Sequence, residues 1–564
     1  MGGDTSFNIV IGGEAGQGLA TIGLLFTKAL VRSGYWVNVY QDYMSRVRGG
    51  HNTYRIRMDT EPVYAPKEEI DVLVALNQET VSKHAEQVST RGVVVLDEEG
   101  DPAGIKAFRV PFKKLADKKI FYNTVALGVL GATLCGDRKI FEDLLRETFS
   151  KKGEQVVQSN LDVLRRSYEW HQEQEDAFEC PAPSEKKEGR LCMSGNEAIA
   201  MGALAAGCNF CSFYPMTPST SVALNLIGKG GELGLVSEQA EDEISALNMA
   251  LGASYAGARA LVPTSGGGFA LMNEAFSLAG MTEMPVVVVL AQRPGPATGL
   301  PTRTEQGDLL FSLHAGHGEF PRVLLAPGSV EQCFHLAHRS FDLTEKFQVP
   351  VILLTDQYLA DCYNAVSPFD LNSLDQVARP LLEMDNPGEY RRYEWSDTGV
   401  SSRVIPGFSE ALVVVDSDEH TPDGHITEDH SVRTRMVEKR NRKLKGLLSE
   451  VIPPEYEGDS NPEILLVCWG SSRGPVRETV TLLNQLGKKA AMIHFAQVWP
   501  LDPDNFLSLL EKAEKVVSIE GNFSGQFAGL LRKETGFSVD GQIHRYDGLP
   551  FTSRYLLEKI EQLS

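Results

Sequence analysis

The chain has 564 residues, with 54 Lys and Arg against 75 Asp and Glu and a formal net charge of -21. At about 100 to 200 residues per domain, that length implies three or four domains, each large enough for its own core. The acidic balance speaks against a nucleic-acid protein, which would present a basic stripe, while leaving local basic sites open.

Met1-Gly2-Gly3-Asp4 leads straight into a strand, without the basic flank and cleavage site of a secretion signal. No apolar run approaches the roughly 18 uncharged residues of a membrane helix, the longest candidates being strand-like runs such as Val286 to Ala291. A cytoplasmic location without membrane attachment is therefore expected. Eight cysteines, at 135, 180, 192, 208, 211, 333, 362 and 468, are scattered; without a secretion signal they read as reduced thiols.

In chain order, Phe7 to Gly13 reads as a buried strand, Glu14 to Gly18 as a turn, and Leu19 to Arg32 as a helix with apolar residues at 22, 25, 26, 29 and 30. Strand signals at Trp36 to Tyr40, Thr53 to Met58, Val72 to Ala75 and Gly92 to Leu96 make this an α/β domain. The turn glycines Gly13, Gly16 and Gly18 can offer backbone N–H groups to a phosphate at the helix start, but they lack dinucleotide spacing. Ser45-Arg46-Val47-Arg48-Gly49-Gly50-His51 sets two guanidiniums beside two glycines, which suits an anion clamp as well as a solvated loop.

A helical tail from Phe141 to His171 enters a polar, Pro-bearing linker. A second α/β unit runs from Gly195 to about Asp361, with strands at Ala260 to Pro263, Val286 to Ala291, Arg322 to Leu325 and Val349 to Leu354. Residues 362 to 460 are less regular, and Asp416 to His430 is acidic and His-rich, as a solvated loop would be. A last unit starts at Glu463 to Val467, alternates strand and helix patterns and ends in a helix near Leu563.

The densest chemistry lies between Glu241 and Asp308. In Glu241-Asp242-Glu243 the third acid opens a helix whose small residues Ala246, Ala250, Gly252 and Ala253 permit close approach of a helix or ligand. A buried carboxyl there could share a proton with a ring nitrogen, although acids also suit any helix start through the dipole. Glycines 266 to 268 lack the Lys-Ser/Thr of a nucleotide-binding loop. Cys208-x-x-Cys211 has no second pair at a metal-binding distance and reads as buried thiols; His314-x-x-His317 and His335-x-x-His338 lack a third ligand.

This segment resembles the alpha subunit of the 2-oxoacid:ferredoxin oxidoreductases, thiamine-diphosphate enzymes that cleave a 2-oxoacid, pass the acyl group to coenzyme A and reduce ferredoxin. The resemblance extends over residues 191 to 564, through Tyr214-Pro215-Met216-Thr217-Pro218-Ser219, Trp499-Pro500-Leu501, Glu520-Gly521-Asn522 and Tyr546 to Pro550. The N-terminal turn and the Arg-Gly-Gly motif resemble the gamma domain of the same enzymes, fused here ahead of alpha. The 2-oxoglutarate synthase branch is the most similar.

The resemblance implies a multidomain α/β architecture. It comprises a gamma-type α/β domain over 1–175, a linker over 176–190, a thiamine-diphosphate pyrimidine-type α/β domain over 191–365, an irregular connection over 366–460 and a transketolase C-terminal-like α/β domain over 461–564. It implies that Glu243 activates the aminopyrimidine, with Tyr214 and Pro215 as cofactor contacts. Thr217 and Arg293 would meet the substrate carboxylate, and Arg303 a distal carboxylate. Gly16, Gln17, Gly18, Arg46 and Arg48 would hold coenzyme A. No convincing Gly-Asp-Gly segment for the diphosphate metal and no cysteine cluster is present, and no metal-binding residue is assigned. Mg2+ and a [4Fe-4S] cluster are expected on a beta subunit, in a dimer of alpha-beta heterodimers that reduces ferredoxin.

Overall fold

The computed structural model describes residues 6–45, 49–174, 178–181, 189–381 and 386–563. The chain forms two compact units, one from residues 1–193 with 361–369 and 552–555, the other from the remainder. Among the described residues no helix is long and apolar enough to cross a membrane.

The first unit is built on an eight-stranded sheet, in the order Ala107–Val110, Val88–Asp97, Ile70–Ala75, Phe7–Ala15, Gly49–Asp59, Trp36–Asp42, Tyr363–Val366, Leu191–Ser194. Phe7–Ala15 is parallel to Ile70–Ala75 on one side and antiparallel to Gly49–Asp59 on the other. With neighbours on both edges its first seven residues are buried, which is why it reads as a continuous apolar run rather than an alternating one. The helix Leu19–Arg32 has the bounds its periodicity predicts and buries Ile22, Leu25, Phe26, Ala29 and Leu30. The predicted helical tail is two helices, Arg138–Phe149 and Glu154–Gln172, separated at Gly153, whose φ of 95° breaks the helix.

Cys135 and Cys180, expected as free thiols, form a disulfide with Cα atoms 5.8 Å apart. Phe178 packs edge-on against Phe7 at 5.9 Å, and this brings the segment carrying Cys180 back to the core. The remaining six cysteines are free, and burial raises Cys208 to about 12 and Cys211 further, so both are protonated thiols.

The second unit contains a seven-stranded sheet in the order Gln497–Trp499, Val323–Leu325, Pro350–Asp356, Val286–Gln292, Ala260–Thr264, Phe210–Phe213, Val236–Gln239. The last six strands of this order are parallel, and Gln497–Trp499 is antiparallel to its neighbour. A five-stranded sheet carries Glu455–Gly458, Ala490–Phe495, Ile464–Trp469, Lys515–Glu520 and Gly541–His544. Leu247, Phe269, Phe276 and Leu290 share one apolar core with Trp469, Phe495 and Phe527, so side chains of both sheets exclude water together.

The region expected to be irregular contains a 19-residue helix, His430–Leu448. Its Lys439 and Lys443, each 1% exposed, pair with Glu283 at 2.9 and 2.5 Å. The acidic His-rich segment before it is anchored at two points, where Arg440 and Arg433 hold Glu419 and the fully buried His420 ring lies 3.9 Å from Tyr393, while Asp418, Asp423, His425, Glu428, Asp429 and His430 are exposed, as a solvated loop would be. Cations on an interior helix face defeat a periodicity argument based on apolar residues.

Candidate active site

The residues singled out in the second unit gather at the carboxyl ends of adjacent parallel strands, where an open α/β sheet leaves loops facing a crevice. Val236–Gln239 leads to Glu243, Phe210–Phe213 to Tyr214 and Thr217, Ala260–Thr264 to the glycines 266 to 268, and Val286–Gln292 to Arg293. Positions far apart in sequence are thereby brought to one edge by strand order alone.

The three acids at Glu241 to Glu243 divide their roles. Glu241 is exposed, with its carboxylate on Ser245 Oγ at 2.7 Å. Asp242 is the N-cap of the helix Glu243–Tyr255, accepting the Ser245 N–H at 2.8 Å. Glu243 is then turned inward and is 3% exposed, and its Oε1 has no hydrogen-bond partner among the described residues. A carboxyl oxygen left dry and unpaired costs free energy unless something else bonds to it.

That burial depends on Gly268. A Cβ there would come 2.7 Å from Glu243 Oε1 and would also overlap Thr264 Oγ1. Gly266 is constrained likewise, because a Cβ would run into the carboxyl of Asp308. The triple glycine therefore lets the backbone pass between two carboxyl groups.

Arg293 leaves the strand half-exposed and donates from Nη1 to the Thr217 carbonyl oxygen at 2.7 Å, which joins two of the predicted substrate contacts directly. Burial lowers the Arg293 pKa, and Asp308 acts in the opposite direction. Thr217, Tyr214 and Pro215 are exposed on the same loop. Arg303 packs beside Gly548, whose Cβ would lie 3.0 Å from the Arg303 Cβ. The next residue, Thr304, bonds to Asp356 Oδ1 at 3.1 Å. Gln306 is buried and fixes the far end of this loop, donating to the Trp469 carbonyl at 2.8 Å and accepting from Gly521 N–H at 2.8 Å. No local spacing in the sequence marks the return of Gln306 and Asp308 to Arg293 and the second sheet.

In the first unit, Gly16 and Gly18 adopt φ values of 96° and 79°, and Gly18 caps the helix Leu19–Arg32. Gln17 folds back to accept the Glu14 N–H at 2.7 Å, leaving exposed backbone at Gly16. Arg46 and Arg48 lie outside the described residues. Gly49 and Gly50 already belong to a strand, and His51, instead of sitting in a solvated loop, is buried with Nε2 2.8 Å from His84 Nε2. Among the described residues no group of three or more His, Cys, Asp or Glu could hold a metal ion.

Two family profiles match the chain. One described as pyruvate flavodoxin/ferredoxin oxidoreductase, thiamine diP-bdg, covers residues 201–439; one described as pyruvate ferredoxin/flavodoxin oxidoreductase covers residues 8–170. The 2-oxoacid:ferredoxin oxidoreductase 2, subunit alpha, of Aeropyrum pernix is 32% identical over 97% of this chain and 96% of its own. The 2-oxoglutarate synthase subunit KorA of Methanothermobacter marburgensis is 30% identical, matching 63% of this chain and 96% of its own. A solved structure of 2-oxoglutarate:ferredoxin oxidoreductase from Magnetococcus marinus, with 2-oxoglutarate, coenzyme A and succinyl-CoA bound, superposes with a TM-score of 0.92 at 30% identity. The match covers 99% of this chain and 100% of that one. With near-complete coverage at this identity, the chain belongs to the 2-oxoacid:ferredoxin oxidoreductase family as an alpha subunit.

Proposed function

We propose that this alpha subunit carries a gamma-type domain at its N-terminus and, with a beta subunit, converts 2-oxoglutarate and coenzyme A to succinyl-CoA and carbon dioxide while reducing ferredoxin. The observation that carries the reading is the buried Glu243 carboxyl with its unpartnered Oε1 against Gly268. Such an oxygen fits the pyrimidine ring nitrogen of thiamine diphosphate, which would supply the missing hydrogen bond. When bound, that cofactor supplies the electron sink for loss of the substrate carboxylate. Glu243 holds the proton at the ring nitrogen, Arg293 and the loop at Thr217 orient the 2-oxoacid carboxylate, and Arg303 reaches its distal carboxylate. Tyr214 and Pro215 flank the cofactor.

The choice of 2-oxoglutarate is supported by the names of similar proteins at about 30% identity. The gamma-type reading of residues 1–175 is supported by the separate profile over 8–170 and by a relative that matches only 63% of the chain yet 96% of its own length. In that domain Gly16, Gln17, Gly18, Arg46 and Arg48 are assigned to coenzyme A. The beta subunit holds the Mg2+ and the [4Fe-4S] cluster, in a cytoplasmic dimer of alpha-beta heterodimers.

The test is co-purification with beta and a screen of 2-oxoacids for coenzyme A-dependent ferredoxin reduction. We expect preference for 2-oxoglutarate; turnover of pyruvate or branched-chain oxoacids with none of 2-oxoglutarate would refute the substrate. Arg46→Ala and Arg48→Ala should each weaken coenzyme A use by roughly 1 to 3 kcal/mol, non-additively. Unchanged coenzyme A dependence in both would remove this domain from that role.

A further inference from the structure

The carboxyl edge of the seven-stranded sheet holds a second acid, half-buried with one carboxyl oxygen fully covered, and the function proposed above gives it no task. Asp308 ends the loop that begins at Arg293. Its backbone is fixed at both polar groups: the N–H donates to Gln292 Oε1 at 2.9 Å and the carbonyl accepts from Ser312 Oγ at 2.7 Å. Its side chain is not fixed in this way. Oδ2 is buried without a hydrogen-bond partner among the described residues, and only the missing side chain of Gly266 leaves room for it.

The charged groups that face it among the described residues can be named. Arg293 faces it from the strand end, Glu305 lies on its own loop, and Glu243 stands across the glycine turn at Gly268. Arg293 uses Nη1 on Thr217 O, so its guanidinium is not consumed by Asp308. A carboxylate arriving at Arg293 would therefore meet a guanidinium that already faces the Asp308 carboxyl group without being paired to it. Two ionised carboxylates facing one guanidinium in a partly dry site repel each other, and the cheaper state places a proton on one of them.

We propose that Asp308 is a proton-holding positioning residue of the substrate site: when the carboxylate of a 2-oxoacid docks on Arg293, Asp308 Oδ2 takes one proton from solvent, so that the guanidinium faces one anion. The proton returns to solvent when the substrate carboxylate leaves as carbon dioxide. The inference rests on the reading of Arg293 as the carboxylate's partner. Asp308 is suited to it because burial pushes its pKa up to about 6, with Arg293 opposing. Near neutral pH it is thus mostly ionised but needs only a modest further push to be protonated. Affinity for the 2-oxoacid then falls as pH rises above that value, by up to about tenfold per pH unit where uptake is complete.

The experiment uses the assembled alpha-beta complex loaded with a thiazolone analogue of thiamine diphosphate, which cannot form the reactive carbanion. Calorimetric titration with 2-oxoglutarate at pH 7, in two buffers of different ionisation heat, counts protons taken up. We expect uptake of up to about one proton per site in the wild type. Asp308→Asn, which cannot be protonated, should still bind with no uptake and with a flattened pH dependence, while Asp308→Glu should restore both. Equal uptake in wild type and Asp308→Asn, or binding by the wild type without any uptake, overturns the role of Asp308. A wild-type complex that binds no 2-oxoacid at all overturns the functional reading itself. An Arg293→Ala complex that retains wild-type affinity overturns the carboxylate assignment on which the inference stands.

Discussion

Gly268 and Glu243 touch: the glycine Cα faces the acid so closely that a Cβ would stand 2.7 Å from Oε1. The buried acid exists where it does because the neighbouring turn has no side chain. Gly268→Ala should therefore either displace the Glu243 carboxyl or push the turn outward, with an overpacking cost of about 1 to 3 kcal/mol. Thermal unfolding would show a small loss, whereas binding of thiamine diphosphate to the assembled complex should weaken strongly. Wild-type cofactor affinity in this variant would show that the contact is slack.

Glu243→Gln keeps the shape of the side chain and removes its acidic proton. On the proposed role of Glu243, exchange of the C2 proton of bound thiamine diphosphate should slow by about 100- to 10,000-fold, the usual range for loss of a general acid-base group. Assembly with beta should persist. Exchange at the wild-type rate would reduce Glu243 to a helix-start residue.

Glu283, Lys439 and Lys443 form a nearly solvent-free cluster, each 1% exposed. Burial pushes the Glu283 carboxyl up, but the two ammoniums outweigh it and hold it well below the usual carboxylate range. Lys443 is drawn down by burial to about 8 in spite of Glu283, with Lys439 and Arg392 adding to the shift. The anion is the secured partner, so Glu283→Gln, which leaves two ammoniums unbalanced, should cost about 3 to 5 kcal/mol. A Glu283→Leu, Lys439→Met, Lys443→Met triple variant should recover most of that loss. Denaturant titration of the three proteins decides it, and a Glu283→Gln protein as stable as the parent would contradict the account.

His494 is fully buried, with Nε2 3.2 Å from the Gly470 carbonyl oxygen and Nδ1 unpartnered among the described residues. Burial, reinforced by Arg473, lowers its pKa to about 3. The unfolded chain takes up this proton near the ordinary value of about 6.5, which the folded chain refuses until about pH 3. Stability is thus lost as pH falls across that window, at about 1.4 kcal/mol per pH unit for this group. His84 in the first unit has the same sign, being lowered to about 4 by burial and then by Arg55. His494→Gln should flatten the acid slope of unfolding of the second unit between pH 6 and 4. An unchanged slope would mean that water reaches the ring.

Alternation of strand and helix signals, the glycine-bearing turn before Leu19–Arg32 and the long motifs around Thr217, Glu243 and Arg293 made the α/β architecture and the family legible before any coordinate. These are local features: buried parallel strands are continuous apolar runs, and a helix start announces itself by its cap. Periodicity could not anticipate contacts across long sequence separations, nor cations on an interior face. The helix His430–Leu448 buries its lysines against Glu283, and the segment with Cys180 is carried to Cys135 by Phe178 packing on Phe7. Asp308 shows the same limit at the site. Its proximity to Arg293 follows from the order of parallel strands and from the Gln292 side chain that holds the returning loop. Sequence determined which elements form and which residue types carry the chemistry; tertiary structure alone decided which carboxyl oxygens end up buried and unpartnered, because burial depends on what every other element excludes from water.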